Sequence, residues 1–124
     1  MIIKGQVVRG GGYARELGCP TANLCLKPGN HDFPCAPGIY AGWTNWGAHR
    51  CLPSLVCVHE PSLRDGQKIE VHLLNETFDL YGTEIETHLI SKKRDLVPFV
   101  DDVQMSLEIA DDMVWVNNFF SNQK

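Results

Sequence analysis

A chain of 124 residues is long enough to bury a real core, and one domain over residues 1–124 is expected. A net charge of -4 with no clustered Lys/Arg patch argues against nucleic acid as a partner. No apolar run approaches the length that spans a bilayer, and no charged-then-apolar leader opens the chain, so neither a membrane partner nor a signal peptide is expected. The five cysteines, Cys19, Cys25, Cys35, Cys51 and Cys57, are odd in number and form no CxxC pair. Free thiols in a reducing cytoplasm are the expectation, and the sequence spacing of a zinc site is absent.

Ile2 to Arg9 reads as a strand with Ile3, Gly5 and Val7 on one face. Gly10, Gly11 and Gly12 follow, a turn whose backbone can take positive φ and approach a ligand closely. Leu17 to Leu26 is a second extended piece and carries Pro20-Thr21-Ala22-Asn23. In an extended segment the Thr21 hydroxyl and the Asn23 amide point the same way. Two such hard oxygen ligands suit Mg²⁺ held between protein and phosphate. The plain alternative is a glycine-rich surface loop followed by an incidental Thr and Asn.

Lys27 to Pro37 is dense in Pro, Gly and Asn and reads as a loop. Gly38 to Trp46 and Cys51 to His59 are strands; in the second, Ser54, Val56 and Val58 alternate with Leu55, Cys57 and His59. Lys68 to Asn75 alternates most cleanly, with Ile69, Val71 and Leu73 on one face and Glu70, His72 and Leu74 on the other. Thr83 to Ile90 is the next strand, and the Leu80-Tyr81-Gly82 corner suggests that it pairs with its predecessor as a hairpin. Ser91 to Phe99 reads as a polar connection.

The period then changes to about 3.6. Val103, Leu107, Ala110 and Val114 recur at helical spacing, as do Ile109, Met113 and Val116. Asp101 is a good N-cap, Gln104 could close a variant capping box, and a helix from about Asp102 to Asn117 is expected. Short strands followed by one helix imply an antiparallel barrel with a helix packed against it.

Glu70 faces away from the apolar side of its strand, where partial burial would raise its pKa towards the range of a general base. An ordinary solvated strand glutamate is the alternative. His59, His72 and His88 read as polar-face strand residues rather than metal ligands.

Gly5-Gln-Val-Val-Arg-Gly, Arg15-Glu-Leu-Gly-Cys-Pro-Thr-Ala-Asn, Pro37-Gly-Ile-Tyr-Ala-Gly-Trp, Ile69-Glu-Val-His-Leu-Leu, Leu80-Tyr-Gly, and then Arg94 and Phe99 before a terminal helix resemble riboflavin kinase (flavokinase) in order and spacing. The resemblance runs from about Gly5 to Asp112. It implies a six-stranded antiparallel Greek-key barrel with one C-terminal helix. It implies transfer of the γ-phosphoryl of ATP to the 5′-hydroxyl of riboflavin, giving FMN, with Mg²⁺ as cofactor, in the cytoplasm and as a monomer. It implies that Thr21 and Asn23 hold the metal and the phosphates, and that Gly10, Arg15 and Gly18 wrap the nucleotide. Glu70 would accept the proton of the attacking hydroxyl, and Arg94 and Phe99 would line the flavin side. The glycine loop is no Walker P-loop, because no Gly-Lys-Ser/Thr follows.

The chain departs from the family pattern at Ala14, at Cys19, and over Cys57-Val58-His59-Glu60-Pro61-Ser62-Leu63. These departures motivate an alternative, a non-catalytic flavin- or nucleotide-binding module of the same fold. A kinase using CTP is a further alternative, although Pro-Thr-Ala-Asn favours the ATP-using branch. The module also occurs behind an adenylyltransferase domain in bifunctional FAD synthetases. With no second nucleotide motif, FAD synthesis by this chain alone is not expected.

Overall fold

The computed structural model describes residues 1–9, 21–74 and 79–122. Strand β1 is Ile2–Gln6, β2 Ala22–Leu26, β3 Gly38–Trp46, β4 His49–Val58, β5 Gln67–Leu73 and β6 Glu84–Arg94; helix α1 is Asp102–Ser121. Every pairing is antiparallel, in the order β1-β6-β3-β4-β5-β2. Just beyond β1, the Val8 N–H donates to the Asn23 carbonyl of β2 at 2.8 Å. The two edge strands thereby almost meet, and the sheet curls into a nearly closed barrel. The expected six-stranded antiparallel barrel with a C-terminal helix is the fold observed.

Period-two alternation decides what lies inside. Ile3 and Val7, Leu24 and Leu26, Val56 and Val58, Ile69, Val71 and Leu73, and Ile85 fill the barrel. The same interior holds hydroxyls on β3, β4 and β6. Thr44 Oγ1 lies 2.8 Å from Ser54 Oγ and 3.1 Å from Thr87 Oγ1, and Ser54 Oγ donates to the Leu52 carbonyl at 3.0 Å. All three residues are fully buried, so these bonds remove the desolvation cost that lone hydroxyls would carry.

The Leu80-Tyr81-Gly82 corner does not make a hairpin. Both edges of β5 are taken, by β4 and β2, so the chain after β5 crosses over and β6 pairs with β1 and β3. The corner docks on the end of β1, with the Gly82 N–H donating to the Val7 carbonyl and the Val7 N–H to the Thr83 carbonyl, both at 2.9 Å. Residues 91–94, expected as connection, continue β6. Ile39 of β3 pairs with Arg94 there, with register shifts on either side of Tyr40–Ala41.

Helix α1 starts as expected: the Asp101 carboxylate accepts from the Gln104 N–H at 2.8 Å. The Gln104 side chain does not complete the box; it donates to Glu108 at 3.2 Å instead. Of the two apolar stripes, Val103, Leu107 and Val114 are exposed, at 71%, 62% and 61%. The stripe through Ile109, Met113 and Val116 faces the barrel, and its packing with Trp115, Phe119 and Phe120 against Ile39, Ala41 and Leu55 carries the helix on to Ser121.

Candidate functional site

The outer face of β4 and β5, the end of β2, the connection 95–101 and the first half of α1 enclose a cleft of about 400 Å³. The end towards α1 is mainly apolar, lined by Ile39, Leu55, Leu96, Val97, Phe99, Met105 and Ile109, with the charged Arg94, Glu108 and Asp112 among them. The other is polar, lined by Thr21, Asn23, Cys57, His59, Lys68 and Glu70.

Strand register builds the polar end. Asn23 of β2 and Cys57 of β4 both stand opposite Glu70, on either side of β5. Asn23 and Thr21 share a side because they are two residues apart in extended chain, and His59 follows Cys57 by the same interval. Glu70 collects three partners. Its Oε2 accepts from Thr21 Oγ1 at 3.1 Å, its Oε1 lies 2.5 Å from His59 Nε2, and Lys68 Nζ stands 3.6 Å from Oε1. The carboxylate is 16% exposed.

These contacts reverse the expected shift at Glu70. Burial is the largest single influence and pushes its pKa up. The hydrogen bond from His59, the Lys68 charge and the Thr21 hydroxyl together outweigh it, and the carboxyl sits below its ordinary value of 4.5. Conversely, the Cys57 sulfur, 3.6 Å from Nε2, and then the Glu70 carboxylate lift the His59 imidazole from 6.5 to about 9, against the opposing effect of burial.

The backbone beneath His59 is held by Gln67. Its Nε2 donates to the His59 carbonyl at 2.8 Å and to the Cys35 carbonyl at 2.7 Å, while its Oε1 accepts from the Cys35 N–H at 2.8 Å. The β4–β5 connection turns at Gly66, φ 89°, where a Cβ would come within 2.2 Å of the Leu26 carbonyl oxygen. Glycine is required there on both counts.

At the apolar end Arg94 lines the cleft from the end of β6, clamped to the helix. Its Nε and Nη2 donate to Asp112 at 3.0 and 2.8 Å, and Lys93 donates to the same carboxylate at 2.7 Å. Phe99 also lines the cleft and is 59% exposed.

The fit to a divalent metal rests on Asn23. Its Oδ1 is buried with no hydrogen-bond partner among the described residues, which leaves a hard oxygen for a ligand. With the Thr21 hydroxyl beside it, the donor set suits Mg²⁺. Thr21, Asn23 and Glu70 lie together on this cleft, and Arg94 and Phe99 line it as well. Gly10, Arg15 and Gly18 lie outside the described residues.

Sequence reasoning missed His59, Cys57, Lys68 and Asp112 as parts of this site. Cys57 and His59 become visible only once β4 is registered on β5. Asp112 carried a signal, an acid inside the stripe of Ile109, Met113 and Val116.

The family described as "Flavokinase: Riboflavin kinase" matches residues 1–120. The chain belongs to the riboflavin kinase family. It is 32% identical over 124 residues to the bifunctional riboflavin kinase/FMN adenylyltransferase of Escherichia coli (strain K12), covering 98% of this chain and 39% of that protein. It is 29% identical over 126 residues to the protein of the same description from Buchnera aphidicola subsp. Acyrthosiphon pisum (strain APS), with the same shares covered. This member of the riboflavin kinase family thus spans 39% of the length of these curated relatives. Among solved structures, a riboflavin kinase from Trypanosoma brucei shares the fold at a TM-score of 0.70 and 19% identity, covering 98% of this chain and 80% of that one. A Streptococcus pneumoniae chain described as a macrolide-efflux protein matches at a TM-score of 0.79 and 25% identity, over 94% of this chain and 38% of that one. Among the described residues, no helix is long and apolar enough to cross a membrane.

Proposed function

We propose that this chain is a riboflavin kinase module, transferring the γ-phosphoryl of ATP to the 5′-hydroxyl of riboflavin to give FMN. The observation that carries the reading is the convergence of Thr21, Asn23 and Glu70 at the polar end of a cleft whose other end is mainly apolar. Phosphoryl transfer asks mainly for positioning and charge neutralisation. The unpartnered Asn23 oxygen and the Thr21 hydroxyl would hold Mg²⁺, which when bound neutralises phosphate charge. Gly10, Arg15 and Gly18 are assigned to the nucleotide on the family resemblance. Phe99 and the apolar wall around Ile39 and Leu55 suit a planar flavin ring, with Arg94 at its polar edge. Glu70 accepts the proton of the ribityl hydroxyl. Two of its roughly four lone-pair sites are engaged by hydrogen bonds, from Thr21 and His59, which leaves room for the substrate hydroxyl. In this reading residues 1–124 act as one monomeric module on small molecules in the cytoplasm.

A second reading is favoured by one observation: Glu70 is bonded to His59 and flanked by Lys68, so it is a weaker base than a lone buried carboxylate. A module that binds riboflavin or nucleotide without turnover would tolerate that. Incubation with riboflavin, Mg²⁺ and either ATP or CTP, with FMN read by chromatography, separates the readings. FMN formed with ATP supports the kinase. Binding of both substrates with no FMN supports the second reading.

A further inference from the structure

The geometry points to a binding site for Zn²⁺ made by Cys57 Sγ, His59 Nε2 and Glu70 Oε1, distinct from the oxygen site at Thr21 and Asn23. One ligand atom from each of the three residues, a carboxylate oxygen, a ring nitrogen and the thiol sulfur, lies within 4.8 Å of the other two. They come together through strand geometry rather than through sequence spacing. Cys57 and His59 stand two residues apart on one side of the chain, and Cys57 pairs with Glu70 across β4 and β5. This revises the expectation that no zinc site is present.

The ligand chemistry selects the ion. A thiolate, an imidazole and a carboxylate suit a borderline-soft ion, with a fourth position left for water, whereas Mg²⁺ prefers oxygen alone. The separations nearly fit. Tetrahedral ligands at zinc bond lengths stand about 3.3–3.6 Å apart. Cys57 Sγ and His59 Nε2 are already 3.6 Å apart. Glu70 Oε1, at 2.5 Å from His59 Nε2, must retreat by roughly 0.8 Å, a small side-chain rotation. Among the described residues, Lys68 Nζ is the one opposing charge paired with Oε1 besides His59, and its half-exposed side chain can turn to solvent. The ion takes the place of the proton shared by His59 and Glu70 and of the Cys57 thiol proton, and both protons pass to solvent.

Zinc at this position occupies the carboxylate assigned as general base and so switches turnover off. That consequence rests on the kinase reading; the binding does not. The test uses chelator-treated protein titrated with Zn²⁺ alone by calorimetry and with Co²⁺ by absorption. One equivalent of metal is expected, with a thiolate-to-cobalt charge-transfer band and intense tetrahedral visible bands. Loss of an outer-shell partner already costs roughly 10–100-fold in metal affinity, so Cys57→Ala should weaken zinc by at least about a hundredfold and abolish the charge-transfer band. His59→Gln should weaken zinc similarly, and Cys25→Ser, at an exposed thiol, should do neither. Circular dichroism checks that each variant is folded. Absence of the charge-transfer band in the parent protein, or a band that survives in folded Cys57→Ala, overturns the site. If the parent makes FMN, micromolar Zn²⁺ at fixed Mg²⁺ should inhibit it. A protein that shows the band but makes no FMN retains the zinc site and loses only the kinase reading.

Discussion

His59 Nε2 lies 2.5 Å from Glu70 Oε1, so the carboxylate assigned to catalysis is already engaged by a cation-forming ring just past the end of the neighbouring strand β4. Cys57 Sγ and Glu70 Oε1 both stand against the His59 ring nitrogen Nε2. The imidazole is lifted by the Cys57 sulfur first and by Glu70 second, to about 9. A folded-state pKa above the unfolded value of 6.5 means that this pair adds stability below pH 6.5 and loses it as pH rises through about 9. Glu70 acts at the other end: its contribution is present above 4.5 and is lost as pH falls through its lowered folded value. In chelator-treated protein, the urea midpoint should therefore decline between pH 6.5 and 9, and His59→Gln should flatten that decline. Proton NMR of the His59 ring should give a midpoint near 9, lowered by Cys57→Ala. A wild-type midpoint near 6.5 would contradict the pairing.

Asn23→Leu should separate stability from function. The wild-type Oδ1 is buried and unpartnered, so removing it relieves a desolvation penalty on the order of 1 kcal/mol and forfeits only the long 3.4 Å contact from Nδ2 to the Thr21 carbonyl. Melting should occur at the wild-type temperature or above. Calorimetry with MgADP should show binding lost in Asn23→Leu and in Thr21→Val. Unchanged MgADP affinity in both variants would remove the metal role from these residues.

Gln67 makes a contrasting case. Replacing it by Leu strands the Cys35 N–H and carbonyl and the His59 carbonyl, each now bonded to the Gln67 amide. Buried groups left unpaired cost roughly 1–3 kcal/mol apiece, partly recovered where water enters. Gln67→Leu should lose on the order of 3 kcal/mol in a denaturant titration. A loss below about 1 kcal/mol would mean that the loop before β3 is held by other contacts.

The strands were legible where the period of two is clean, as at Ile69, Val71 and Leu73 of β5, and less so at the end of β6, where residues 91–94 continue the strand opposite the irregular register of β3. The helix register was not legible. Two apolar stripes competed, and the choice between them depended on Asp112 meeting Lys93 and Arg94 and on Phe119 and Phe120 meeting the sheet, contacts that exist only in the folded chain. At the site, Thr21 and Asn23 were readable from their spacing and Glu70 from its strand face. The sign of the Glu70 shift was not, because its partners His59 and Lys68 are set by register across β4 and β5 and by the short Ser62–Gly66 turn between them.

Phe99 lines the cleft at the end proposed for the flavin and is 59% exposed. Phe99→Ala should raise the riboflavin KM by roughly three- to tenfold, the worth of one aromatic stacking contact, and leave the ATP KM nearly unchanged. Steady-state kinetics with each substrate varied in turn checks this. Equal effects on both substrates would assign Phe99 to packing alone.

The kcat of Glu70→Gln for FMN formation tests the account most directly. The substitution keeps the shape and hydrogen-bonding reach of the side chain and removes the base. General-base action contributes about a hundredfold to ten-thousandfold, and a loose phosphoryl-transfer transition state moves the gain towards the lower end. With saturating riboflavin and MgATP, kcat should fall by at least roughly tenfold, while riboflavin and MgADP affinities and the circular dichroism spectrum stay at wild type. A folded Glu70→Gln protein that makes FMN at the wild-type kcat would contradict the role assigned to this carboxylate.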